Sequence, residues 1–210
     1  DRKQTVFHRT GDLYDHRIVK YILAPLSASQ RFKILSMKDY SGNTLLHCAA
    51  KQKSDNHGLI ENVLTSLPES ERVDLVSMQN RVGKTALHYA ANNRLLKPIK
   101  CLLGLLPKES RFQVVCLRDE NGNTVLHDVA SYSITVVKTI LELLPASQRS
   151  DAVNVKNNRG GTVMDRFTNK PQWYSVLVLL SESESSVRKR SRDRALETGS
   201  ILVREFSSKA

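Results

Sequence analysis

Cysteine is scarce in this sequence: Cys48, Cys101 and Cys116 are all there are, an odd number with no Cys-x-x-Cys spacing. A disulfide framework and a thiolate zinc site are thereby excluded. Small buried thiols in a reducing compartment are the reading that remains. Long apolar runs are missing too, and without about eighteen consecutive apolar residues no membrane-spanning helix is expected. The opening Asp1-Arg2-Lys3-Gln4 lacks the apolar segment a signal peptide needs. Its start on Asp rather than Met leads us to expect a piece of a longer protein.

Catalytic signatures are absent as well. There is no Gly-x-x-x-x-Gly-Lys-Ser/Thr phosphate loop and no His-Glu-x-x-His, and no nucleophile stands beside a recognisable base. The chain is expected to be non-enzymatic, with no cofactor and no metal ion. Acidic residues are in deficit: 32 Lys and Arg against 21 Asp and Glu leave a net charge of +11 over 210 residues. The excess lies in the body, with 25 cationic against 16 acidic residues in 1–180. Such a charge favours an acidic partner kinetically. Basic and aromatic residues do not interleave as single-strand nucleic-acid binders require.

What the sequence has instead is a repeat. Thr44-Leu45-Leu46-His47, Thr85-Ala86-Leu87-His88 and Thr124-Val125-Leu126-His127 share the pattern Thr-x-Leu-His. Thr5-Val6-Phe7-His8 is a degenerate first copy, and Thr162-Val163-Met164-Asp165 a last copy in which the His is lost. Successive threonines lie 38–41 residues apart, and Arg31, Arg72, Arg111 and Arg149 each precede the next Thr by thirteen. Within that span an apolar pair, an Asp or Asn (Asp39, Asn80, Asp119, Asn157) and a Gly (Gly42, Gly83, Gly122, Gly160) recur position by position. Length variation is confined elsewhere, chiefly to the polar stretch Lys53–Gly58, as expected where loops emerge from a constant framework.

Each unit reads as a turn and two helices. Asp/Asn-x-x-Gly is a turn, since Gly tolerates positive φ and the Asx side chain bonds nearby backbone. Thr caps a first helix, whose small residues, such as Ala49-Ala50 and Ala90-Ala91, allow close approach. A second helix follows, with helical apolar spacing at Ile18, Ile22, Leu23; Ile60, Val63, Leu64, Leu67; Ile99, Leu102, Leu103, Leu106; and Val136, Val137, Ile140, Leu141, Leu144. Pro68, Pro107 and Pro145 stop it, and the segment around the recurrent Arg is expected to add a short extra helical turn. No unit carries enough apolar surface to fold alone.

The stretches Gly42–Ala50, Gly83–Ala91 and Gly122–Ala130, each with a helix pair after it, closely resemble ankyrin repeats across residues 4–180. The units are longer than the family's usual ~33 residues; Leu45, Ala86 and Val125 replace the usual Pro, and a Leu-Pro…Arg segment replaces the usual loop. The resemblance implies an all-α fold, an ankyrin-type helical repeat solenoid of about five helix-pair units with hairpin or turn tips. The units fall at about 1–26, 39–68, 80–107, 119–145 and 157–180. Residues 181–210 follow as a flexible or helical basic polar tail.

The recurrent His8, His47, His88 and His127 are read as structural, because stacked units would hold them about a helix diameter (~10 Å) apart, too far to share a metal. The recurrent arginines are read as structural for the same reason of register. By resemblance, partner contacts fall on the turn tips and the exposed start of each first helix. The tip positions are Tyr40, Ser41 and Asn43; Arg81, Val82 and Lys84; Glu120, Asn121 and Asn123; Asn158 and Arg159. The first-helix positions are Lys51 and Gln52; Asn92 and Asn93; Ser131 and Tyr132. The expected function is a protein–protein interaction scaffold or adaptor: a monomeric cytoplasmic array with an acidic protein partner. The alternatives are binding of nucleic acid or acidic lipid by the basic array, or a regulatory segment of a larger protein. The basic run Arg188–Arg194 keeps a nuclear location open.

Overall fold

The computed structural model describes residues 16–52, 56–166 and 173–181, with side chains from residue 19 onward. Among the described residues every regular element is helical and there is no strand. The chain opens with α1 (His16–Leu23) and α2 (Ala28–Leu35). It continues through α3 (Leu45–Lys51), α4 (His57–Thr65) and α5 (Glu69–Ser77), then α6 (Ala86–Asn92), α7 (Leu96–Gly104) and α8 (Lys108–Val115). Next come α9 (Val125–Ala130), α10 (Ile134–Leu143), a 3-10 turn at Ala146–Gln148 and α11 (Arg149–Asn154). A second 3-10 turn at Met164–Arg166 and a last helix, α12 (174–181), complete it. The first Thr-x-Leu-His copy and the expected tail after residue 181 lie outside the described residues. No helix among the described residues is long and apolar enough to cross a membrane.

The short first helices start where they do because of the Thr-His pair. Thr44, Thr85 and Thr124 hold extended backbone at the N-cap. The Thr44 N–H donates to His47 Nδ1 at 3.1 Å, and the threonine hydroxyl meets the same nitrogen at 2.9 Å. Thr85 with His88 and Thr124 with His127 repeat this geometry. It is a capping box with His in the place usually taken by Glu or Gln. An N–H can only donate, so Nδ1 is the bare nitrogen and Nε2 carries the proton. His47 Nε2 gives that proton to the Lys84 carbonyl of the next unit at 2.9 Å, and His127 Nε2 to the Gly161 carbonyl at 3.2 Å. In the last unit Asp165 takes over the cap, accepting from both the N–H and the hydroxyl of Thr162.

The second helices bury the residues their spacing points to, from Ile60 and Val63 through Leu141 and Leu144. Each fully buried Leu or Ile contributes about 1.5–3 kcal/mol. One expectation is corrected: in α1 the core positions are Val19 and Leu23, whereas Ile22 is 37% exposed. The side chain of Ile18 lies outside the described residues. A second correction concerns the segment after each proline, expected as a short extra turn. After Pro68 and Pro107 it is a full third helix of nine and eight residues, α5 and α8, matched by α2 before them, whereas after Pro145 it is the 3-10 turn and the six-residue α11. Pro68 and Pro107 serve as N-caps, and the apolar pairs Leu75/Val76 and Val114/Val115 are buried, so burial as well as capping holds these helices.

Every helix class packs on its own counterpart one unit along. α3 contacts α6 and α6 contacts α9; α1, α4, α7 and α10 do the same in succession, and so do α2, α5 and α8. The recurrent arginines bind these rows together. Arg111 donates from Nε to the Leu106 carbonyl at 3.1 Å and from its terminal nitrogens to Gly104 and, one unit on, Leu143. Arg31 spans Leu23, Ala24 and Ser66 in the same way, and Arg72 spans Leu67 and Leu105. Each guanidinium thus satisfies free carbonyls at the C-termini of two neighbouring helices, where a cation also suits the helix dipole. Arg149 departs from the pattern. The residue capping α10, Leu144, is extended where Ser66 and Leu105 are helical, and Arg149 Nε is buried without a partner.

Candidate functional site

The four Asx-Gly turns are built alike. One side-chain oxygen of Asp39 accepts the backbone N–H of Ser41 and of Asn43, both at 2.8 Å. Asn80, Asp119 and Asn157 repeat this at 2.9–3.1 Å. Adjacent turns join backbone to backbone: Arg81 N–H to Ser41 C=O, Glu120 N–H to Val82 C=O and Asn158 N–H to Asn121 C=O, at 3.1–3.2 Å. The glycines make that approach possible. Gly122 has φ +73°, and a Cβ there would lie 2.6 Å from Asn158 N and run into Asn158 Oδ1. Gly160 has a similarly positive φ of +78°, yet nothing lies within 4 Å of its absent Cβ, because no described turn follows it.

This geometry divides the expected contact residues into two groups. Tyr40, Ser41, Arg81, Val82, Glu120, Asn121, Asn158 and Arg159 are exposed on successive turns. Tyr40 is 63% exposed and lies under the Arg81 guanidinium, 4.5 Å from ring centroid to Cζ. Asn43, Lys84 and Asn123 point into the framework, which corrects the expectation of open tips there. Asn43 is 8% exposed and bonded to Asp39 and Asn80. Lys84 pairs with Asp128 at 2.9 Å. Asn123 Oδ1 accepts from Asn157 and Arg166.

The first-helix positions also need correcting, because they stand at the ends of those helices and not at their starts. Lys51 and Asn92 are last residues, Gln52, Asn93 and Ser131 are C-caps, and Tyr132 lies one beyond. Asn93 is committed to the framework, donating to the carbonyls of Ala50 and Lys51. Lys51 stands over the Tyr89 ring. Tyr132, 41% exposed, donates its hydroxyl to Asn92 Oδ1 at 2.6 Å, and Asn92 in turn reaches Asp128. Burial and then the Asp128 charge raise the Tyr132 phenol above its ordinary value, so it stays a donor.

Sequence reasoning missed Arg94, Arg118 and Arg166. Arg94 takes φ +59° at the position after the α6 cap. The N–H groups of Arg94 and Leu95 reach back to the carbonyls of Ala91 and Ala90, a Schellman motif in which glycine is the usual residue. Its guanidinium lies 5.3 Å from the Tyr132 ring centroid. Arg94, Tyr132 and Trp173 border a groove of about 350 Å³ at this end of the first helices. The missing Gly after Asn92-Asn93 was the available signal. Arg118 binds the Gly122 carbonyl and Asn158 Oδ1, an arrangement that no local pattern announces.

The buried imidazoles are not poised for proton transfer. Burial pushes His47 down to about 4, against the opposing pull of the Lys84 carbonyl. Burial likewise lowers His88 and His127. His88 Nε2 has no partner within hydrogen-bond geometry, although the Asn123 carbonyl faces it. The Cys116 thiol is pushed up to about 11 by burial, with Asp151 adding to it. A thiol in that state is a poor nucleophile at neutral pH. Among the described residues no group of three or more His, Cys, Asp or Glu is placed to hold a metal ion. Compared with known proteins, the chain matches no family model and no curated protein.

Proposed function

We propose that the chain is an ankyrin-type helical repeat solenoid working as a non-catalytic scaffold or adaptor, and that it grips a protein partner through its turn tips. The observation that carries this reading is the row of exposed tip side chains (Tyr40, Arg81, Val82, Glu120, Asn121, Asn158, Arg159) on turns joined backbone to backbone. Turns held this way present side chains with little loss of freedom on binding, which favours affinity. Their chemistry changes from tip to tip while the turn beneath stays constant, as a surface reading one partner requires. Tyr and Arg, stacked together at Tyr40 and Arg81, are the residue types that most often dominate binding energy.

The test compares the intact array with a Tyr40→Ala/Arg81→Ala variant in partner capture, with thermal melting measured on both. Capture should fall at least about tenfold, the loss of one modest hot spot, while the melting temperature stays unchanged. Equal capture by both proteins, or a matching loss of stability, refutes the tip reading.

A further inference from the structure

The fourth and fifth turns enclose a cleft of about 200 Å³ lined by Asn121, Asn123, Asn157, Arg159 and Arg166. Its hydrogen-bond inventory is lopsided. Asn157 Oδ1 is taken by the N–H groups of Arg159 and Gly161, and its amide nitrogen donates to Asn123 Oδ1 at 3.0 Å. Asn123 Oδ1 also receives Arg166 at 3.3 Å. The acceptors of these two asparagines are therefore occupied, while the Asn123 amide N–H₂ remains a donor. The Arg159 guanidinium makes no hydrogen bond or ion pair with the described residues, and Arg166 makes the single one to Asn123. The nearby carboxylate, Asp165, is turned onto Thr162.

We propose that this cleft binds a phosphomonoester dianion, presented as a phosphorylated side chain of the protein partner. Two guanidiniums beside asparagines whose side-chain acceptors, at Asn123 and Asn157, are already occupied suit an anion. A carboxylate fills one fork, whereas a phosphate has three oxygens and close to two charges, enough to engage both arginines. The cleft holds about one such group. A nucleic-acid strand or an anionic membrane would instead need a continuous basic face, and exposed Glu120 interrupts the tip row between Arg81 and Arg159. The inference rests on the reading that the tips meet a protein partner, and adds the chemistry of one contact.

The experiment is an NMR titration of the isotope-labelled chain with O-phosphoserine in a short neutral peptide, with the same peptide unphosphorylated, and with inorganic phosphate, all at constant ionic strength. The phosphopeptide should move the signals of Asn121, Asn123 and Arg159 saturably, and the unphosphorylated peptide should leave them still. Arg159→Gln should weaken the effect at least about tenfold, the loss of one charge-assisted contact. Its melting temperature should not change, since that guanidinium is unengaged. Arg166→Lys, which keeps the charge and loses the fork, should weaken it less. Shifts that spread equally over Lys38 and Arg81, or that survive Arg159→Gln, overturn the proposal. So does stronger binding of an oligonucleotide, or of vesicles carrying a phosphoinositide, at the same residues. If the phosphopeptide leaves the cleft unmoved while capture still depends on Tyr40 and Arg81, the cleft inference falls and the tip reading stands.

Discussion

Lowering the pH below 6.5 should destabilise this protein before most of its carboxylates titrate, and the histidine row sets the size of the effect. In the unfolded chain an imidazole takes up a proton near pH 6.5. In the folded chain His47 is held at about 4, chiefly by burial. Across that window the unfolded state binds more protons than the folded state, so stability rises with pH and is lost on acidification. A depression from 6.5 to about 4 is worth about 3 kcal/mol when fully developed, at about 1.4 kcal/mol per pH unit. About 2 kcal/mol of this is gone by pH 5. His88 and His127 are lowered in the same direction by the same cause and add to the loss. For a domain whose total stability is ~5–15 kcal/mol, that is a large share. Urea unfolding followed by helical circular dichroism at pH 7.5, 6.5, 5.5 and 5 measures it. His47→Gln sharpens the test, because Gln can accept the Thr44 N–H in a capping box but does not titrate. The variant should be less stable than the parent at pH 7.5 and show a shallower pH dependence. Stability that stays flat from pH 7.5 to 5, or that rises on acidification, refutes the buried neutral imidazoles.

Three further substitutions probe the framework, each read by denaturant unfolding at pH 7.5. Gly122→Ala should cost clearly more than Gly160→Ala: both residues have positive φ, worth about 1 kcal/mol against Ala, but only at Gly122 does the added Cβ collide with the next turn. Equal costs would show that the turns are not in contact. Arg111→Lys should lose about 2–3 kcal/mol, because a point charge cannot reach the Gly104, Leu106 and Leu143 carbonyls together; a neutral result would dismiss the guanidinium clamp. Arg94→Ala should be less stable than Arg94→Gly by about 1 kcal/mol, since only glycine relieves the left-handed backbone at φ +59°. The reverse order would place that residue in an ordinary helical conformation.

The repeat is most sharply defined where one device recurs with a chemically different residue. Asp165 stands in the register position of His47, His88 and His127, and it still accepts from the N–H and hydroxyl of its threonine. What the position demands is an acceptor three residues after the cap, and imidazole and carboxylate both supply it.

The features readable from the chain alone were those formed within a few residues. The threonine cap reaches three residues forward, the Asx turn two and four, and the apolar face of α4, α7 and α10 follows the helical period. Short-range bonds of this kind need no knowledge of the rest of the molecule, so spacing reveals them. The third helix of each unit, the exposure of Ile22, the inward turn of Asn43 and Asn93, and the approach of Arg94 to Tyr132 could not be read this way. They depend on partners 32–44 residues away, as in Arg111 to Leu143, Arg31 to Ser66 and Lys84 to Asp128. Which residue of a repeating turn faces its neighbour and which faces solvent is decided only when the units come together, because that contact determines where a side chain can find its hydrogen bonds.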